Sequence, residues 1–258
     1  MKNHLVLVPG IDGTGKLFYK QIPSLEQQFT VTAMQLRDNA ASMEELVGDL
    51  HEELTRVAGD RRVTLLGESF GGALTLSYAI AHPERIERLV ILNSFAHFGS
   101  QARLWLGYHL LRATPWGMIR ILRQLNARRM HSPQTDRDEI RRFYELMRSS
   151  TREGYLSRMR ILRNYDIRDQ LPSIAAPVLF LAADRDTLVP SVEQARLMSE
   201  LTPAATMQIL QGQGHSCLIA PDLDLAAILD EWLAGHPVRP GVGEGGSRGE
   251  GEMTRAHR

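Results

Sequence analysis

The ten residues Val63-Thr64-Leu65-Leu66-Gly67-Glu68-Ser69-Phe70-Gly71-Gly72 constrain this chain more than any other stretch. An apolar run ends at a Gly-x-Ser-x-Gly turn, and small residues then open an apolar-periodic helix, expected from Ala73 to about Ala81. A strand that passes through a tight turn straight into a helix is the repeating unit of a parallel sheet flanked by helices. The turn also carries chemistry. A serine presented on it projects Oγ clear of the sheet, and the next N–H lies at a helix N-terminus, where an anion is stabilised. Gly67 and Gly71 suit such a turn, because a side chain at either position would crowd it. Ser69 as an ordinary helix N-cap is the competing reading, and the rest of the chain has to choose between them.

The same alternation runs on both sides of this stretch. His4–Val8 is a short apolar run closed by Pro9-Gly10, then come the loop Gly10–Gly15 and a helix from near Leu17. A second strand is expected within Phe29–Leu36. Ser42 then begins a helix, with Glu45 three residues on completing a capping box. Leu46, Val47, Leu50, Leu54 and Val57 give that helix one apolar stripe. After the Ser69 helix a fourth strand is expected at Arg88–Leu92. Residues 95–175 then turn helical in period and hold fifteen arginines, seven acids and no lysine. Strands return at Val178–Ala182 and Thr206–Leu210, with helices at Val192–Leu201 and Leu218–Leu233. The expectation is a core of residues 1–94 and 176–234, a helical cap of residues 95–175, and a disordered Gly-, Glu- and Arg-rich tail of residues 235–258.

A serine hydroxyl is a weak nucleophile until a base takes its proton and an acid orients that base. In a parallel sheet both belong in loops at the carboxyl ends of later strands. Val178–Ala182 is followed by Asp184 and Asp186, and Thr206–Leu210 by His215 within Gly-Gln-Gly-His. The order Ser, Asp, His is thus available from three strand ends. Either aspartate could instead cap the helix after Pro190, and the other eight histidines read as packed or solvated residues. Cys217 reads as a small packed residue.

Composition narrows the alternatives. A formal net charge of +0 and a pI near 7.2 give no global pull toward nucleic acid. One cysteine cannot form an internal disulfide, and no apolar run reaches the length of a signal core or a membrane span; both fit a cytoplasmic protein. Gly10-x-x-x-x-Gly15-Lys16 nearly spells a phosphate-binding loop, but Leu17 stands where Ser or Thr should ligate magnesium. His-Glu-x-x-His and Cys-x-x-Cys are absent from the sequence, so neither metal nor cofactor is expected. The oligomeric state stays open.

On the residues just named the chain resembles the α/β-hydrolase family over residues 4–234. Ser69 lies in Gly-Glu-Ser-Phe-Gly, Asp186 in Asp-x-x-Val-Pro, and His215 in Gly-x-Gly-His. The resemblance implies a mostly parallel sheet flanked by helices, a helical cap, and a cofactor-free serine esterase or lipase acting on a small-molecule ester. It also implies oxyanion donors at the N–H groups of Ile11 and Phe70. The family's His-Gly pair before the first donor is Pro9-Gly10 here. The loop Pro-Gly-Ile-Asp-Gly-Thr-Gly is similar to the hydrolase half of plant phytyl ester synthases and related small bacterial hydrolases. An acyltransferase using the same acyl-enzyme and a catalytically silent binding module are the rivals. The mostly apolar stretch Trp105–Leu122, edged by Arg103, Arg112, Arg120 and Arg123, reads either as a cap helix packed on its neighbours or as a basic amphipathic face that touches anionic lipid or guides a fatty acyl chain. The arginines would also suit a substrate carboxylate or phosphate.

Overall fold

The computed structural model describes residues 2–125 and 127–235. The first half runs β1 (His4–Val8), a 3₁₀ turn (Lys16–Lys20), α1 (Ile22–Leu25), β2 (Thr30–Ala33), α2 (Met43–Ala58), β3 (Val63–Glu68), α3 (Phe70–Ala81) and β4 (Ile86–Leu92). Five helices follow: α4 (Gln101–Ala113), α5 (Trp116–Leu125), α6 (Ala127–Met130), α7 (Arg137–Leu146) and α8 (Arg152–Ile161). The chain then returns to the sheet through β5 (Val178–Ala183), α9 (Ser191–Leu201), β6 (Ala205–Leu210) and α10 (Leu225–Gly235).

The six strands pair in the order β2-β1-β3-β4-β5-β6, every pair parallel. Successive side chains on a strand leave opposite faces, so a doubly covered sheet needs apolar residues at every position. That is what Leu5–Val8 of β1, Leu89–Leu92 of β4 and the whole of β5 supply. Val6, Val8, Leu89, Ile91, Val178 and Phe180 pack into one core with α2, α3 and α9. Leu5, Leu7, Val90, Leu92, Leu179 and Leu181 pack into the other with α10 and the Lys16–Lys20 turn. From β1 the chain steps outward to β2, then crosses back to β3 on the far side. The crevice between the carboxyl ends of β1 and β3 is therefore the switch point of the sheet, where such folds gather ligands.

Four expectations change at the level of elements. The helix from near Leu17 is a 3₁₀ turn followed by the single turn α1. The second strand pairs only over Thr30–Ala33; Phe29, Met34 and Leu36 are apolar because the core covers them, not because they pair. The helix after Ser69 starts at Phe70. The closing helix does not run from Leu218: a 3₁₀ turn at Cys217–Ile219 ends before Pro221, which has no N–H to donate, and α10 begins at Leu225. Ser42 caps α2 as expected, accepting from the Glu45 N–H at 3.3 Å, while Glu45 reaches back to the Ala41 N–H at 3.0 Å. Gly235 belongs to α10, and the rest of the expected tail, residues 236–258, lies outside the described residues. No described helix is long and apolar enough to cross a membrane.

Candidate active site

Ser69 sits where β3 turns into α3, with φ 53 and ψ −117. Positive φ strains a non-glycine residue, so the surroundings must hold it there. The Ser69 N–H donates to the Leu92 carbonyl at 2.9 Å, and Ser94 Oγ donates to the Ser69 carbonyl at 2.7 Å. The two glycines of the motif are required by close approach. A Cβ on Gly67 would stand 2.4 Å from the Gly71 carbonyl oxygen, and one on Gly71 would stand 2.2 Å from that of Val8. The turn therefore packs directly onto the end of β1, beside the switch-point crevice.

The structure brings the other two sequence-derived residues to this point. His215, in the loop after β6, places Nε2 3.1 Å from Ser69 Oγ and Nδ1 2.6 Å from Asp186 Oδ2. Asp186 is fixed in turn. Its Oδ1 accepts the N–H groups of Leu188 at 2.8 Å and Val189 at 3.0 Å, and Ser191 Oγ donates to Oδ2 at 2.5 Å. Asp184, the neighbour it could be confused with, is exposed. Gly214 allows the His215 loop to press against the insertion formed by residues 95–175: its Cβ would lie 2.5 Å from the Met130 carbonyl oxygen, which accepts the Ser216 N–H at 2.8 Å.

Electrostatics follow from burial and these contacts. Burial disfavours a charged imidazole at His215, but the Asp186 carboxylate, and Glu68 behind it, more than offset this and hold its pKa above the ordinary histidine value. Burial alone would push the Asp186 carboxyl up; His215 and the hydrogen bonds from His215, Ser191 and Val189 hold it below the usual value.

Three residues of the site were not singled out by the sequence. Glu68, the residue before the serine, lines the same cavity with Oε1 3.8 Å from His215 Nε2. Burial pushes its carboxyl up to about 7; His215 partly offsets this, while Asp12 and Asp186 add to it. Asn93, with φ 49, follows β4 and ties the end of β5 to the His215 loop: Nδ2 donates to the His215 carbonyl at 2.9 Å and Oδ1 accepts the Ala183 N–H at 2.8 Å. Asparagine tolerates that backbone better than most residues. Arg158 of α8, fully buried, donates to the Ile11 carbonyl at 3.0 Å, the Arg37 carbonyl at 3.1 Å and Asp38 Oδ1 at 3.0 Å. A Cβ on Gly13 would meet its guanidinium at 2.2 Å. The only sequence hints were a carboxylate beside the serine and an asparagine at a strand end.

The expected oxyanion donors flank the crevice. The loop after β1 closes a turn from the Gly13 N–H to the Gly10 carbonyl at 3.0 Å, and Ile11 lines the cavity. Phe70 opens α3. Within the described residues neither N–H has a protein acceptor.

Over Ser69 lies a cavity of about 590 Å³. Its walls are mostly apolar and come largely from the insertion: Leu110 and Leu111 of α4, Ile119 and Leu122 of α5, Phe143 of α7, Tyr155 and Met159 of α8. Among the described residues its lining holds no Arg or Lys, so Arg103 and Arg112, expected to suit a substrate anion, are not on it, and the side chains of Arg120 and Arg123 lie outside what is described.

The family model described as the alpha/beta hydrolase fold matches residues 3–220. RutD of Yersinia enterocolitica, a proposed carbamate hydrolase, is 25% identical over 247 residues, covering 89% of this chain and 86% of that protein. The RutD of Cronobacter sakazakii is 26% identical over 252 residues, with 92% of each chain covered. Among solved structures, an enol-lactonase from Burkholderia xenovorans superposes with a TM-score of 0.79 at 20% identity, covering 91% of this chain and 92% of its own. A hydrolase from Pseudomonas aeruginosa gives 0.77 at 24%, covering 90% and 89%. At those identities the structural matches speak for the fold alone.

Proposed function

We propose, since this chain belongs to the alpha/beta hydrolase fold family, that it is a serine hydrolase cleaving a carboxylic ester through an acyl-enzyme on Ser69. The observation that carries the reading is one continuous chain of contacts, Asp186 Oδ2 to His215 Nδ1 at 2.6 Å and His215 Nε2 to Ser69 Oγ at 3.1 Å. His215 takes the Ser69 proton on Nε2 as Oγ attacks the carbonyl carbon. Asp186 keeps the Nδ1 tautomer and stabilises the imidazolium. The oxyanion lies between the N–H groups of Ile11 and Phe70, each worth about 3 kcal/mol in comparable chemistry. The C–O bond then breaks, and the leaving alkoxide takes the proton from Nε2. Water, deprotonated by the same nitrogen, releases the acid and restores Ser69.

The helices of residues 95–175 act as the cap in this reading: they wall the cavity and so choose the acyl group. Its apolar lining favours an uncharged, largely hydrocarbon acyl group. A second reading comes from the RutD relatives, for which the same serine would attack a carbamate carbonyl. A fluorophosphonate probe and a panel of p-nitrophenyl esters and N-alkyl carbamates test both. Labelling of the wild type but not of Ser69→Ala, with ester turnover lost in the variant, is the expected result. Absence of labelling in the folded wild type would leave a silent binding module, and ester product formed on added alcohol at the expense of acid would make it an acyltransferase.

A further inference from the structure

We infer that α4 and α5, with the groove beside them, form a docking face for a bilayer carrying anionic lipids. Met118, Ile121, Leu122 and Leu125 recur on α5 at i, i+3, i+4 and i+7, the spacing of a stripe meant for burial. All four stand in solvent instead, from 45% exposed at Leu122 to 75% at Leu125. On α4, Trp105, Leu106 and Leu110 are each more than half exposed. So many large apolar side chains on two successive helices are more than the scattered surface residues of an ordinary monomer.

Charge names the occupant. Residues 95–135 contain six arginines and no aspartate or glutamate. Beside Trp105 a groove of about 300 Å³ is lined by Tyr108, His109, Arg112, Arg160 and Arg163, with no acid in its lining among the described residues. No ion pair engages these three arginines among the described residues. An apolar face next to an arginine-lined groove fits hydrocarbon beside phosphate headgroups. A second copy of this chain fits poorly, since a two-fold interface would set the arginine-rich segment against itself with no acid to answer it. The face also continues inward: Leu110 and Leu122 are exposed and also line the Ser69 cavity. A docked protein would thus hold its cavity roof against the lipid. That last consequence rests on the ester-hydrolase reading; the docking itself does not.

Flotation of the intact chain with phosphatidylcholine vesicles, with and without phosphatidylglycerol, tests this directly. The wild type is expected to float with the anionic vesicles, to stay behind with pure phosphatidylcholine, and to be released by added salt. Combined Met118→Ser, Ile121→Ser and Leu125→Ser, none of which lines the cavity, should weaken binding by about tenfold or more while leaving hydrolysis of a soluble short-chain ester unchanged. Arg112→Gln with Arg160→Gln should remove the preference for anionic lipid. Absence of wild-type flotation overturns the inference, as does flotation untouched by either set of variants. So does a stable dimer that the triple variant dissociates. Binding to vesicles by a protein that no fluorophosphonate labels would keep the docking face and discard the catalytic reading; the reverse pattern would do the opposite.

Discussion

Glu68 is the residue whose chemistry departs furthest from its place in the motif. Its carboxylate sits 3.8 Å from the nitrogen of His215 that faces Ser69, and burial sets its pKa at about 7. A base must be neutral to take a proton, so turnover should rise as pH passes the His215 pKa, which lies above the ordinary value. Removing the Glu68 charge removes one of the groups holding that pKa up. In Glu68→Gln the acid limb of kcat/KM should therefore move to lower pH, with the largest change where Glu68 is ionised in the wild type. A limb that stays in place in a folded variant would separate Glu68 from the titration of His215. Gly71 makes a different kind of prediction. With the Val8 carbonyl oxygen 2.2 Å from where a Cβ would stand, Gly71→Ala should cost at least about 2 kcal/mol in urea unfolding and misplace Ser69. Ser69, Asp186 and His215 were legible because each lies at a strand end in a recognisable turn. Glu68, Asn93 and Arg158 matter through neighbours far away in the chain, and no local pattern carries that.

At the scale of elements, Arg158 joins three that are distant in sequence. It leaves α8, reaches the loop after β1 at Ile11, and meets the segment after β2 at Arg37 and Asp38. Truncation would leave several carbonyls and a carboxylate without their donor. Arg158→Met is expected to lose about 3 kcal/mol or more of stability, and its hydrogen exchange should quicken at residues 10–14 and 36–38 ahead of the rest of the sheet. Uniform acceleration would mean that the guanidinium only fills space. Strand and helix identities followed from alternating apolar runs, and the boundaries that failed did so for identifiable reasons. Pro221 interrupts an apolar stretch that otherwise reads as one helix, and Phe29 and Leu36 pack into the cores from outside β2, with no partner strand. The arginines of the insertion read correctly as unusual, but their use at a buried site, in Arg158, required the fold.

For the molecule as a whole, the insertion is part of both cores. Leu104 and Leu162 pack into one, Phe143 into the other. Thermal unfolding should accordingly be one cooperative transition, and two resolved calorimetric peaks would contradict that coupling. Acid should loosen the joint first. His131 is buried against Phe143, its Nδ1 3.0 Å from the Ser216 carbonyl, and burial lowers its pKa from 6.5 to about 4. Between those values the unfolded chain binds a proton that the folded one does not, so stability falls as pH drops through that window. Replacing His131 by Phe should flatten this part of the melting-temperature profile, and an unchanged slope would assign the loss elsewhere.

Cys217, two residues beyond His215, is the lone thiol of the sequence and is fully enclosed, with Asn93 Nδ2 3.4 Å from its sulfur. Burial holds that thiol protonated, so an alkylating reagent finds nothing to attack while the fold is closed. The sulfur is consequently a built-in clock: its labelling rate counts how often the base-bearing loop swings away from the sheet, without any dye or tag being attached.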